Sequence, residues 1–246
     1  MTANDVCSRG KGGRVSRRRA LMAGAAAGAG AVLAGCGAAD GTGREGAAAT
    51  ASAAAAIAPV IISREAWGAA APDHAARAEG GFYDAATNPG GWLAYAEPLR
   101  DTLNTLVVHH SASAIDGVRD IQRLHMQTRG YADIGYHFLI GADGLIYAGR
   151  DVGARGAHTG GANTGTVGVA LLGNFERGDP APAQLDSLRQ LGAYLAAAYA
   201  LTHLAGHRDF QPEATVCPGA GLAPLLPGLA EELRLDYGTS GYEAPG

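Results

Sequence analysis

Apolar residues along the chain follow two patterns, one typical of buried strands and one typical of amphipathic helices. The segments NTLVVHHSAS and TVGVALLGNF each contain a short β-branched apolar run, which predicts a buried strand, the first over Leu106 to His109. The segments GYHFLI and LIYAGR flank the turn sequence at 141–144 and predict a hairpin. The clearest helix is PAQLDSLRQLGAYLAAAYAL, one face of which carries Leu185, Leu188, Leu191, Leu195 and Tyr199.

A second helix and a final short helix complete this pattern. GVRDIQRLHMQTRG ends at Gly130, and its apolar spacing is helical through Val118, Ile121, Leu124 and His125. A short helix is expected after Pro227. Strands interleaved with long helices predict an α/β fold with a mixed central β-sheet flanked by helices, in a single domain.

The first 36 residues have the pattern of an export signal. Arg17, Arg18 and Arg19 precede a weakly apolar Ala/Gly-rich run over 20–35, which is too short to span a bilayer well. Ser16-Arg17-Arg18 resembles a twin-arginine signal, and the LAGC sequence ending at Cys36 resembles the lipobox of bacterial lipoproteins. An ordinary cleaved leader is the alternative. The sequence therefore predicts an extracytoplasmic protein, exported by the twin-arginine route and lipid-anchored to the cell membrane through Cys36.

Composition divides the remainder of the chain. Residues 37–58 are low-complexity Ala/Gly/Thr and predict a flexible tether. Ordinary folding signals begin at Pro59, so we predict a domain over 59–236 and a C-terminal tail over 237–246. The 246 residues are 47% hydrophobic, with a formal charge of -4 and no basic stripe. This charge balance gives no reason to expect a nucleic-acid partner. Separately, we expect the protein to be a monomer.

The three cysteines are distributed so that one remains unpaired in the domain. Cys7 lies in the leader and Cys36 at the lipobox, which leaves Cys217 without an intramolecular disulfide partner. Its thiol could be a buried small hydrophobe, a nucleophile with His207 as base, or a metal ligand. An exported protein has to protect such a thiol, and metal coordination does so effectively.

Histidines supply candidate partners for Cys217. His109 and His110 are neighbours in an extended chain, so their side chains point to opposite faces and only one can serve a given metal. With His207 and Cys217, one of them would make three protein ligands. Three ligands and an open fourth position are typical of a catalytic zinc site. The His-x9-Cys spacing alone does not decide between zinc and the other possibilities.

Four segments together resemble a known family. LVVHHSAS, DIGYHFLIGADGLIYAGR, GAHTGGANTGTVGVALLGNF and GHRDFQPEATVCPG occur in the order found in zinc-dependent N-acetylmuramoyl-L-alanine amidases. That family includes peptidoglycan recognition proteins and amidase-type phage lysozymes. VIISREAWGA, over 60–69, resembles the opening segment of bacterial members. The resemblance covers about Val60 to Leu235, and it implies hydrolysis of the bond between N-acetylmuramic acid and L-alanine in peptidoglycan or muropeptides.

The resemblance also implies roles for particular residues. It assigns Zn²⁺ to His109, His207 and Cys217, and it places Tyr136 and Thr215 as catalytic residues beside the metal. His158 and Asn163 fall in the stretch that binds the muropeptide. Packing roles are expected for His110, His125 and His137, and surface positions for His74 and His203. Two functional alternatives are a non-catalytic peptidoglycan-binding lipoprotein and an amidase specific for soluble anhydro-muropeptides.

Overall fold

A seven-stranded mixed β-sheet forms the centre of the domain. The computed structural model describes residues 57–74, 76, 94–113, 117–240 and 242. The strand order is β1-β4-β3-β5-β2-β6-β7, and only the β3–β4 pair is antiparallel. In chain order the strands are β1 (Ile61–Ile62), β2 (Thr105–His110), β3 (Phe138–Ile140), β4 (Ile146–Ala148), β5 (Thr166–Leu171), β6 (His203–Gly206) and β7 (Asp236–Tyr237).

The helices vary from one turn to five turns in length. The α-helices are α1 (Arg64–Trp67), α2 (Val118–Arg123), α3 (Pro182–Tyr199), α4 (His207–Phe210) and α5 (Leu226–Leu233). A π-helical turn over Leu124–Thr128 continues α2, and short 3-10 turns occur at Leu99–Asp101 and Ala223–Leu225. Among the described residues, no helix is both long and apolar enough to cross a membrane.

Apolar side chains cover both faces of the sheet. Because successive strand residues point to opposite faces, Phe138 and Ile140 join the larger core beneath α3 and α5, while Leu139 joins a smaller core with Trp67 and Ile121. Both β2 and β5 are buried along their whole length. This arrangement confirms the predicted α/β class with a mixed central sheet flanked by helices.

The central strands bring the candidate residues to one edge of the sheet. β2 runs parallel to both β5 and β6, with Val108 opposite Gly206. Parallel neighbours end at the same edge, so His109 near the end of β2 and His207 directly after β6 are brought together.

Several boundaries differ from the prediction. β2 extends to His110, so His109 lies inside a buried strand and not at its end. The helix predicted through His125 changes to π-helical geometry at Leu124, and this change leaves Leu124 39% exposed while His125 is buried. β7 consists of Asp236 and Tyr237 and pairs with β6, so the first residue of the predicted tail, Tyr237, belongs to the sheet.

The predicted leader and nearly all of the predicted tether fall outside the described residues. Cys7 and Cys36 both lie outside the described residues. Ile57 and Ala58, the last two residues of the predicted tether, are described and exposed.

Candidate metal centre and substrate groove

Three side chains form a candidate metal centre at the carboxyl edge of the central strands. His109 comes from β2, His207 from the first position of α4, and Cys217 from the loop that follows α4. One nitrogen of each imidazole and the sulfur of the thiol all lie within 4.8 Å of one another. The structure thus brings together the three residues that the sequence resemblance assigned to zinc.

The spacing of these atoms fits zinc coordination. Cys217 Sγ lies 3.6 Å from His109 Nδ1. Zinc bonds of about 2.1 Å to nitrogen and 2.3 Å to sulfur, at the tetrahedral angle, place those two atoms about 3.6 Å apart. A thiolate with two imidazoles is also a donor set that zinc favours. The residues present therefore fit this metal.

Burial gives the histidines the protonation state that a metal requires. Removal from water lowers the pKa of His109 well below its ordinary value, and the neighbouring His207 lowers it further. Burial likewise lowers the pKa of His207, with the hydrogen bond to Gln211 opposing it. Both imidazoles are therefore neutral near pH 7, and neutral nitrogen is the ligand form.

Burial acts in the opposite direction on the thiol. It raises the pKa of Cys217 to about 12, although the backbone N–H of His110, 3.4 Å from Sγ, lowers it. Without a cation nearby, the buried sulfur stays protonated and is a poor nucleophile. A divalent metal would supply the positive charge that a buried thiolate needs.

The two adjacent histidines point to opposite sides of β2. His109 faces the site, whereas Nδ1 of His110 accepts a hydrogen bond from the backbone N–H of Phe175. His125 and His137 also accept backbone hydrogen bonds, from Gly135 and Gly168 respectively. His110, His125 and His137 therefore have the packing roles expected of them.

His158 lies directly behind the candidate ligand His109. Its Nδ1 is 3.1 Å from Nε2 of His109 and 2.9 Å from the hydroxyl of Thr159. The ring rests against Gly168 in β5, where a methyl group would lie 2.5 to 2.7 Å from ring atoms of His158. Nε2 of His158 is buried, and no described residue hydrogen-bonds it. That nitrogen is packed against the backbone at Gly156 and Gly168.

Tyr136 forms the opposite wall of the centre. Its ring centroid lies 5.1 Å from that of His109 and 6.4 Å from that of His158. Burial raises the pKa of the Tyr136 phenol above its usual range, and the nearby Cys217 adds to the effect. The hydroxyl thus remains a neutral donor at pH 7, and Tyr136 lines an open groove beside the centre.

A groove of about 490 Å³ opens over these residues. Thr215 and Asn163 line it, as expected, but both also have local bonds. The Thr215 hydroxyl accepts a hydrogen bond from the N–H of Cys217, and Asn163 Oδ1 accepts two from the N–H groups of His158 and Thr159. No aspartate or glutamate is among the lining residues that the structure describes, so the groove carries no negative side chain.

Two residues beside the centre did not stand out in the sequence. Gln211 contacts His207 Nε2 at 3.0 Å, and the Thr159 hydroxyl lies 3.5 Å from His109 Nε2. The His-x3-Gln spacing could have identified Gln211, because a single helical turn places residues four apart on one face. That signal requires knowing that His207 begins a helix.

Two imidazoles, one thiol and a phenol beside an open groove are typical of the active sites of metal-dependent hydrolases. The chain matches the family model described as N-acetylmuramoyl-L-alanine amidase over residues 99–220. It is 39% identical over 131 residues to an endolysin of Klebsiella phage KP32, covering 50% of this chain and 85% of the endolysin. The protein belongs to the N-acetylmuramoyl-L-alanine amidase family.

Other relatives extend the comparison. The chain is 38% identical over 125 residues to peptidoglycan-recognition protein SD of Drosophila simulans, covering 47% of this chain and 64% of that protein. The solved endolysin amidase LysCS from Clostridium intestinale superposes with a TM-score of 0.51 at 34% identity, over 58% of this chain and 93% of the other. Peptidoglycan recognition protein LE, solved with tracheal cytotoxin (a monomeric diaminopimelic acid-type peptidoglycan), gives 0.55 at 27% identity, over 68% and 92%.

Proposed function

We propose that this protein is a zinc-dependent N-acetylmuramoyl-L-alanine amidase. It hydrolyses the amide that joins the lactyl group of N-acetylmuramic acid to L-alanine of the stem peptide. The observation that carries the proposal is that His109, His207 and Cys217 converge beside the groove, which His207 and Cys217 also line. These three residues would hold a zinc ion and leave it a fourth position for water. Three protein ligands with an open position distinguish a catalytic site from a closed structural one.

The chemistry divides between the metal and the chain. Zinc, when bound, activates a water molecule and polarises the carbonyl of the scissile amide. Tyr136 donates its hydroxyl hydrogen to the amide oxygen as negative charge develops there. His158 and Asn163 line the same groove and are the residues that would bind the muropeptide.

The protons balance without a carboxylate base. Hydrolysis places the hydroxyl of water on the muramyl carbonyl carbon and one hydrogen on the amine of L-alanine. Because no acidic side chain lines the described groove, that hydrogen reaches the amine through solvent or through the Tyr136 hydroxyl.

Two competing functions are less well supported. A non-catalytic peptidoglycan-binding lipoprotein needs neither a cluster of three metal-ligating side chains nor a phenol beside it, yet both are present. A Cys217 nucleophile needs an ionised thiol, whereas burial raises its pKa to about 12. The geometry therefore favours metal-dependent hydrolysis. An amidase that prefers soluble anhydro-muropeptides would use the same centre.

We also propose where the protein acts. Export by the twin-arginine route and lipidation at Cys36 would hold a monomeric domain at the outer side of the cell membrane, within reach of peptidoglycan. The support is the order of the arginine cluster, the apolar run and the LAGC sequence.

The test of the activity is mass spectrometry of digested peptidoglycan. We expect stem peptides that begin with a free L-alanine amine, together with glycan that has lost its peptides. A chelator should abolish the release, and added zinc should restore it. Cys217→Ser should remain inactive at any zinc concentration used to restore the wild type, because a hydroxyl does not ionise readily on the metal. Release that continues in chelator would refute the proposal.

A further inference from the structure

Gln211 makes two hydrogen bonds that join opposite sides of the groove. Oε1 lies 3.0 Å from Nε2 of His207, and Nε2 donates to the backbone carbonyl of Gly160 at 2.8 Å. His207 belongs to the centre itself, whereas Gly160 follows His158 and Thr159 in the loop on the other side. The Gln211 side chain thus contacts both a candidate metal ligand and the loop that carries His158.

These two bonds determine how the amide is oriented. A backbone carbonyl can only accept, so the amide nitrogen of Gln211 must face Gly160, and its oxygen must face His207. The oxygen in turn can only accept, so Nε2 of His207 carries the hydrogen. The lone pair on His207 is therefore at Nδ1.

From this geometry we infer that Gln211 is a positioning residue for the metal centre. It fixes His207 in the tautomer that presents Nδ1 to the metal, and it ties that ligand to the loop bearing His158. The inference rests on the proposed function, because it assigns Gln211 a role toward zinc. A partner on the second nitrogen of a ligating histidine holds the ring and increases its basicity.

The local fold supports this role. α4 is a single turn, with Gly206 before it and Gln211 directly after it. Asp209 Oδ2 accepts from the N–H of Gly206 at 2.7 Å, which holds the start of the turn. Because residues four apart share a helix face, the turn brings Gln211 beside His207. The half-buried amide is close enough to the centre to act on it, yet a change there leaves the core intact.

Two substitutions separate the two bonds. Gln211→Met keeps the side-chain length and removes both, so zinc affinity should fall by about 10- to 100-fold. Gln211→Glu keeps an acceptor for His207 and removes the donor to Gly160. Its zinc affinity should equal or exceed that of the wild type, whereas KM for a muramyl-peptide should rise with little change in kcat.

Tyr242→Phe is the matched control. The Tyr242 hydroxyl donates to the carbonyl of Thr164, in the same loop as Gly160, without contacting His207. Removing it weakens the attachment of that loop and should leave zinc affinity unchanged.

The measurement is a zinc competition titration on the full chain against a chromogenic chelator, with circular dichroism to establish folding. The inference is overturned if Gln211→Met binds zinc as tightly as the wild type, or if Gln211→Glu loses as much affinity as Gln211→Met. A wild-type protein that binds no zinc would refute both this inference and the proposed function. If the wild type binds zinc and Gln211→Met binds it equally tightly, this inference is refuted and the proposed function stands.

Discussion

At the residue scale, position decides what each imidazole of the site can do. His109 and His110 are adjacent in the sequence, yet one faces Cys217 and the other accepts from the backbone of Phe175. The alternation of strand side chains predicts that the two differ, but not which of them faces the site. The resemblance to a family supplied that choice, and the structure agrees with it. Gln211 was not predicted because its spacing from His207 is informative only once His207 is known to begin a helical turn.

Tyr136→Phe tests whether the phenol acts in the reaction. The ring and its contacts with His109 and His125 are retained, so folding and zinc content should match the wild type. Loss of one donor to the developing negative charge typically lowers kcat by about 10²–10³. An interaction made mainly in the transition state leaves KM little changed. Steady-state turnover of a muramyl-peptide, with metal analysis alongside, gives the answer. Retention of most of the wild-type kcat would mean that Tyr136 only packs beside the centre.

At the element scale, the segments with a clear local signal were predicted and those without one were not. β2 and β5 carry apolar runs, the hairpin of β3 and β4 is marked by the turn sequence between them, and α3 carries an amphipathic face. β6 and α4 are four residues each and carry neither a visible period nor a turn signal. β6 is a strand because it pairs with β2, which is distant in the sequence. A local pattern does not predict such a pairing. The π-helical turn after α2 was not predicted either, because Leu124 and His125 fit α-helical spacing equally well.

The absence of a side chain at Gly168 allows the His158 ring to pack directly against β5. An added methyl group would lie 2.5 Å from the ring, so Gly168→Ala should push His158 away from His109. We expect activity to fall sharply and stability to drop by roughly 1–3 kcal/mol, as is usual for overpacking in a core. Urea unfolding and muramyl-peptide turnover provide the measurements.

Gly228→Ala is the control for that substitution. Position 228 lies in α5, and no heavy atom would come within 4 Å of the added methyl group. Its stability should rise by about 0.4–1 kcal/mol, with activity unchanged, because alanine restricts the unfolded chain. If Gly168→Ala and Gly228→Ala had the same stability and the same turnover, the close approach of His158 to Gly168 would have no consequence.

At the scale of the whole molecule, the strand directions fix where the chain enters the domain. β1 is parallel to β4, and β4 is antiparallel to β3, which runs in the same direction as β5 and β2. β1 therefore begins at the edge of the sheet where β2 ends. The segment before Ile61 thus enters on the edge that carries His109.

Cys36→Ala tests the proposed anchor, and Cys7→Ala is its control. If Cys36 is the lipidated first residue of the mature protein, Cys36→Ala should accumulate as an unprocessed precursor, because the signal is cleaved only after the cysteine is modified. Globomycin, which blocks that cleavage, should give the wild type the same larger mass. Cys7→Ala should be processed normally, since Cys7 lies in the predicted leader. Detergent partitioning and intact-mass measurement would show a lipid-modified chain beginning at Cys36 for the wild type and for Cys7→Ala. Normal cleavage of Cys36→Ala with release of soluble protein would contradict the anchor, while the metal centre and its chemistry would stand unchanged.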